Sequence, residues 1–184
     1  MRPPAWNLLI TCDPGHEHAA REHARAALQA LGLGVRFRAD AGPGTLEARV
    51  DADPRDVVHQ IEELARRDPR ALGHTHHWRP VDAWVPSDLR SLRREVGAVA
   101  QGIGPWEAWR LTVQVHRAAG PTAHDLVEPL SEAVAHGVVR MHDPDKVLRV
   151  DVVGEAAGIA LLEPGDDLSV DRVRAEGFHL QQEP

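Results

Sequence analysis

The chain has 184 residues, 42% of them hydrophobic and 27% charged, enough to bury a core without disulfide or metal staples and too apolar to be a disordered segment. No apolar run approaches the roughly 18 residues of a membrane span, the opening Met1-Arg2-Pro3-Pro4 lacks a secretory apolar region, and the single Cys12 has no disulfide partner, so a cytoplasmic protein is expected. A net charge of −7 counts against nucleic acid as a ligand, yet from Asp151 onward eight acidic residues face only Arg172 and Arg174, which leaves residues 1–150 at −1.

Trp6 to Cys12 alternates as a buried strand, with Trp6, Leu8, Ile10 and Cys12 on one face. Asp13-Pro14-Gly15 offers an N-cap with Pro at the first helical position, and Ala20, Ala24, Ala27, Leu28 and Leu31 follow at helical spacing until Gly32 and Gly34. Two short strands, Val35 to Ala39 and Thr45 to Val50, flank the turn Asp40-Ala41-Gly42-Pro43-Gly44 and read as a hairpin. Asp53-Pro54 repeats the cap-then-proline signal before the apolar stripe Val57, Val58, Ile61, Leu64 and Ala65, and His74 to Val81 closes the unit as a strand. The order is βαββαβ, the ferredoxin-like pattern, over residues 5–82.

A second α/β lobe is expected over residues 83–170. Ser87 is its helix cap, and Leu89, Leu92, Val96 and Val99 point inward from that helix. Between Glu107 and Arg117 the residues Trp109, Leu111, Val113 and Val115 share one face of a strand, and Arg110, Thr112, Gln114 and His116 share the other. Thr122 caps a helix expected to reach His136, and Lys146 to Val153 and Ala156 to Glu163 read as strands about Gly154-Glu155. Residues 171–184 are read as a polar C-terminal tail, its loosely held character beginning near Asp166. The fold class is thus α/β (α+β), in two lobes.

Asn7-Leu8-Leu9-Ile10-Thr11-Cys12-Asp13-Pro14-Gly15-His16-Glu17 resembles the opening of the N-terminal ferredoxin-like domain that precedes THUMP domains. Ala108 to Arg117, the helix from Thr122, the run Asp143-Pro144-Asp145-Lys146-Val147-Leu148-Arg149-Val150 and then Gly158 to Leu162 are similar to the strand, helix and paired strands of a THUMP domain. The resemblance spans about residues 5 to 170 and implies a ferredoxin-like lobe followed by a THUMP lobe. It implies tRNA as the partner, gripped at the acceptor end, and a second partner in a tRNA-modifying enzyme. The similarity is greatest to stand-alone THUMP adaptors that assist tRNA cytidine acetyltransferase in making N4-acetylcytidine. The chain stops where the enzyme of a fused protein would begin, so a non-enzymatic adaptor without a cofactor is expected.

Candidate RNA contacts are cations on rigid surfaces: Arg110 and His116 on the polar strand face, Arg117 at its end, Lys146, the only lysine, and Arg149. Arg93 and Arg94 on the preceding helix extend the set, and Arg79 and Trp84 sit in the connection between lobes, where a Trp either stacks on a base or packs. No catalytic or nucleotide-binding signature occurs, and Gly102-Ile103-Gly104-Pro105 is a poor phosphate cradle because Pro lacks an amide. Two rival readings stay open. One is a metal-binding protein or enzyme using Cys12, His74 and His76, since Cys12 would end beside the start of the fourth strand. The other is a protein-interaction scaffold docking through its acidic end.

Overall fold

The computed structural model describes residues 5–39, 41–116 and 120–180. The described residues divide into two units, 5–80 with 165–180, and 81–164. No described helix is long and apolar enough to cross a membrane.

The first unit follows the expected order: β1 (Leu8–Cys12), α1 (Glu17–Ala30), β2 (Val35–Phe37), β3 (Thr45–Val50), α2 (Pro54–Arg67) and β4 (Thr75–Pro80). Leu8, Ile10 and Cys12 face a core built with Ala20, Ala24 and Leu28 of α1, Val57, Val58 and Ile61 of α2, and Trp78 of β4. The start of α2 is as expected, with the Asp53 carboxylate accepting from Arg55 N at 2.8 Å and Pro54 needing no donor partner in the first turn. The start of α1 is not. Gly15 adopts φ +89° and breaks the chain between Pro14 and the helix, which begins at Glu17 with His16 as its cap. The Glu17 carboxylate then takes the amides of Gly44 at 2.7 Å and Gly15 at 3.0 Å, and those bonds hold its pKa below the usual carboxylate value.

The second unit comprises β5 (Ala83–Pro86), α3 (Leu89–Val99), a 3-10 turn (Ala100–Gly102), β6 (Ala108–His116), α4 (Ala123–Ser131), β7 (Val138–Val139), β8 (Lys146–Val153) and β9 (Ala156–Leu162). Its strand order is β5-β9-β8-β6-β7; β6 runs parallel to both β8 and β7, and the other pairs are antiparallel. Leu92, Val96, Leu126 and Leu130 of the two helices share a core with Trp109, Leu148, Val150 and Val152 of the sheet. Thr122 caps α4 as expected, its hydroxyl and the Asp125 carboxylate forming a reciprocal capping box. The helix ends at Ser131, short of the expected His136, and β5 and β7 had no counterpart in the sequence reading. The cap of α3 is Asp88, which accepts from Ser91 N at 2.9 Å; Ser87 Oγ instead donates to the Gly154 carbonyl at 3.3 Å.

The largest departure is the C-terminal end. Beyond Pro164 the chain returns to the first unit as β10 (Leu168–Ser169) and α5 (Val170–Leu180), and the first sheet has the order β10-β4-β1-β3-β2. Leu168, Val170 and Val173 are buried in the first core, so this stretch is neither part of the second lobe nor a loose tail. Charge holds it as well: Asp166 pairs with Arg55 at 3.2 Å and Asp167 with Arg79 at 2.9 Å. The acidity that marked it as polar is used in internal pairs. An acidic tail free to dock on an enzyme, the scaffold reading, therefore loses those two carboxylates.

Candidate nucleic-acid interface

The alternation along β6 holds: Trp109, Leu111, Val113 and Val115 line the core side, and Arg110, Thr112, Gln114 and His116 line the other. Register with β8 sets Arg149 opposite Thr112 and Asp151 opposite Gln114 on that second face. Arg149 is only 8% exposed and Asp151 3%. Arg149 Nε donates to Asp151 Oδ2 at 2.9 Å and Nη2 to Asp151 Oδ1 at 3.0 Å, a two-pronged pair, while Nη2 also meets the Gln114 side-chain oxygen. His116 Nε2 lies 3.1 Å from Asp151 Oδ1. Two of the expected RNA contacts, Arg149 and His116, are thus gathered on one face against the same carboxylate.

Lys146 leaves the row altogether. Its Cα partner is Trp109, so it sits on the opposite face, where Nζ donates to the Gly102 carbonyl at 2.7 Å and lies 3.2 Å from Glu107. The Glu107 carboxylate is held below its ordinary pKa, first by the Gly104 amide at 2.6 Å and then by Lys146. These residues border an open depression of about 500 Å³ lined by Gln101 to Pro105, Glu107, His136 and Lys146. Arg93 pairs with Glu132 across α3 and α4 at 3.1 Å, while Arg94 is exposed. Arg79 is 3% exposed and committed to Asp167, while the ring of Trp84 lies against Gly158 and is half-buried. Arg117 lies outside the described residues.

The exposed groups cluster at β7, the open edge of the second sheet. Val138 N donates to the Glu107 carbonyl at 2.9 Å and Arg140 N to the Trp109 carbonyl at 2.8 Å, which brings residues 136–142 beside the Gly104-Pro105-Trp106 turn. Close approach requires Gly137: it adopts φ +85°, and a Cβ there would stand 2.6 Å from Trp109 Cδ1 and 2.8 Å from Ile103 Cγ2. The outcome is an edge on which Val138, Val139 and Met141 are exposed, preceded by the turn in which Trp106 is 89% exposed. Arg140, His136 and His142 stand among them, and Arg110 reaches in, its Nη1 donating to the Met141 carbonyl at 3.1 Å. No carboxylate among the described residues pairs with Arg110 or Arg140, and Arg110 Nε is buried with no acceptor. An exposed aromatic ring and, further along the same edge, guanidinium groups with no carboxylate partner among the described residues suit an unstacked base and a neighbouring phosphate.

Of this cluster the sequence reading found only Arg110. The signal it passed over is Gly104-Pro105-Trp106 itself, a turn with no strand or helix period to carry the Trp into a core. The metal alternative does not assemble. Cys12 does lie beside the start of β4, with Thr75 as its Cα partner, but it points into the core, and burial pushes its thiol up to about 11. His76 sits between Asp13 at 3.2 Å and Asp171 at 3.1 Å, and His74 stacks on His16 with ring centroids 4.9 Å apart. Among the described residues no three His, Cys, Asp or Glu side chains are placed to hold a metal ion.

No protein-family model matches the sequence, and no curated protein matches it. Solved structures do match in fold. PH1313 from Pyrococcus horikoshii Ot3 superposes with a TM-score of 0.62 at 11% identity, over 88% of this chain and 54% of that one. TrmN from Thermus thermophilus gives 0.54 at 19% identity, over 84% and 44%. A 4-thiouridine synthetase solved as a complex with RNA and bound ATP gives 0.54 at 13% identity, over 89% and 42%. The chain spans about half the length of these structures. At such identities the likeness is one of fold, and it agrees with the expected α/β (α+β) class and the two sheets described above.

Proposed function

We propose that this chain is a tRNA-binding module that presents tRNA to a separate modifying enzyme, with a cytidine acetyltransferase forming N4-acetylcytidine as the enzyme it serves. The observation that carries the reading is the open β7 edge, with Trp106 exposed in the turn before β6 and Arg110 and Arg140, which pair with no carboxylate among the described residues, further along it. Support from the fold comes from the likeness to a 4-thiouridine synthetase solved with RNA. The role is a binding one and not catalysis. Its only thiol is buried and held protonated, and no catalytic signature occurs in the sequence. A cytoplasmic site of action fits a tRNA partner.

Filter binding of bulk tRNA to the purified chain tests the binding step. Phosphate contacts release counterions, so affinity should fall steeply between about 50 and about 200 mM salt. Absence of binding at the low end, or affinity indifferent to salt, defeats the proposal. Co-purification from the native cell, with mass spectrometry of protein and RNA together, tests the adaptor step, and recovery of RNA with no modifying enzyme refutes it.

A further inference from the structure

The segment that completes the first lobe is held by histidines as well as by arginines. Asp166 Oδ1 lies 3.5 Å from His59 Nε2 of α2, Asp167 Oδ1 lies 3.1 Å from His77 Nδ1 of β4, and Asp171 Oδ2 lies 3.1 Å from His76 Nδ1. His76 meets a second carboxylate, Asp13 in the β1–α1 loop, whose Oδ1 lies 3.2 Å from Nε2. The ring therefore stands between two carboxylates with one nitrogen toward each. Ionised carboxylates only accept hydrogen bonds, and a neutral imidazole carries a single N–H, so both contacts are hydrogen bonds only when His76 is the doubly protonated imidazolium. Loss of that proton sets a nitrogen lone pair against a carboxylate oxygen.

The other charges on the segment do not vary near neutral pH. Asp166 also pairs with Arg55 at 3.2 Å, Asp167 with Arg79 at 2.9 Å and Asp171 with Arg174 at 3.3 Å, while Arg172 meets Glu62 at 3.5 Å and Glu176 at 3.8 Å. Those pairs, with Leu168, Val170 and Val173 in the core, give a hold that is independent of pH. Strand pairing adds little, since β10 matches β4 only at Leu168 and Ser169. We propose that residues 165–176 form a proton-dependent clasp on the first lobe, in which His76 ties α5 to the β1–α1 loop and His59 and His77 reinforce the closure. Histidine changes charge between about pH 5 and about pH 8. Protonation adds ion pairs to the docked segment and none to the released one, so closure is favoured on the acid side and the gain is lost as pH rises. Release uncovers Trp78 and turns β4, which lies between β10 and β1, into an open sheet edge.

The clasp does not depend on the tRNA reading, and its test uses the whole chain without RNA. Amide hydrogen exchange is followed at residues 168–176, and at control amides in β1 and β3, from about pH 5.5 to about pH 8 at constant ionic strength, each rate divided by the intrinsic rate at that pH. Protection of 168–176 should fall about tenfold across the range, while the control amides change by less than about twofold. The triple variant H59Q/H76Q/H77Q should give a flat profile. Asp171→Asn, at an exposed position, should lose more protection at the acid end than at the alkaline end, which leaves a shallower slope. A wild-type profile without slope overturns the proposal, and so does a slope shared equally by β1 and β3. A triple variant that keeps the wild-type slope also overturns it. Should that variant fail to fold, Asp171→Asn decides alone, and equal loss at both ends of the range sinks the clasp.

Discussion

The outer face of β6 and β8 and the open edge at β7 belong to the same sheet and carry the same residue types, yet they differ in what their cations can do. On the face, Arg149 and His116 converge on Asp151 and are sealed. At the edge, Arg110 and Arg140 meet no carboxylate among the described residues, and Trp106 is exposed in the turn that precedes β6. The first lobe repeats the contrast, with Arg79 buried against Asp167 and Arg36 exposed on β2. Position on a strand fixes the side from which an Arg emerges. Only the neighbouring strands and their carboxylates decide whether its charge remains available.

The largest test of this contrast is Asp151→Ala. It leaves the buried Arg149 without its principal counter-charge and should destabilise the chain by roughly 3–5 kcal/mol in urea unfolding; a loss below about 1 kcal/mol would show that the face is not sealed. Trp106→Ala comes next, on a different axis. It should weaken tRNA binding by about 1–3 kcal/mol while Tm scarcely moves, and the opposite pattern would place Trp106 in a structural role. A smaller effect is expected from Asp167→Asn. Burial alone would raise the Asp167 pKa, but the His77 hydrogen bond and Arg79 together hold it below the ordinary value. A lowered folded-state pKa gives stability that is present above the unfolded value, near pH 3.9, and is lost as pH falls through the folded one. Wild type should therefore lose more stability than Asp167→Asn during acid titration below about pH 4, and parallel acid limbs would contradict the assignment. Least of all, Arg93→Ala removes an exposed pair with Glu132 and should cost about 0–1 kcal/mol by thermal melting.

Much of the fold was legible in the sequence because its periodicities are local. The alternation from Trp109 to Val115 and the stripe Val57, Val58 and Ile61 state their own buried faces, and Asp53-Pro54 and Thr122 mark helix starts through bonds within a few residues. The C-terminal segment was misread because composition was mistaken for exposure. Asp166, Asp167 and Asp171 look like solvated charges until Arg55, Arg79 and His76 are brought alongside from 88 or more residues away, as the pairing of Asp167 with Arg79 over 88 residues and of Asp171 with His76 over 95 illustrates. The site was half legible for the same reason. Arg110 could be placed on an outward face by counting, but Trp106, His136 and Arg140 meet only through the parallel pairing of β6 with β7 and the tight passage at Gly137.

By itself the sequence determined two α/β lobes, the βαββαβ order of the first, and the face from which each strand residue emerges, since all three follow from side-chain period and local capping. Tertiary structure alone decided that residues 165–180 complete the first lobe, that Arg149 and Arg79 are sealed by carboxylates, and that Trp106 stands in the open. Those outcomes depend on pairing between distant segments, where a charge is stabilised or left free by neighbours that its own stretch of chain does not contain.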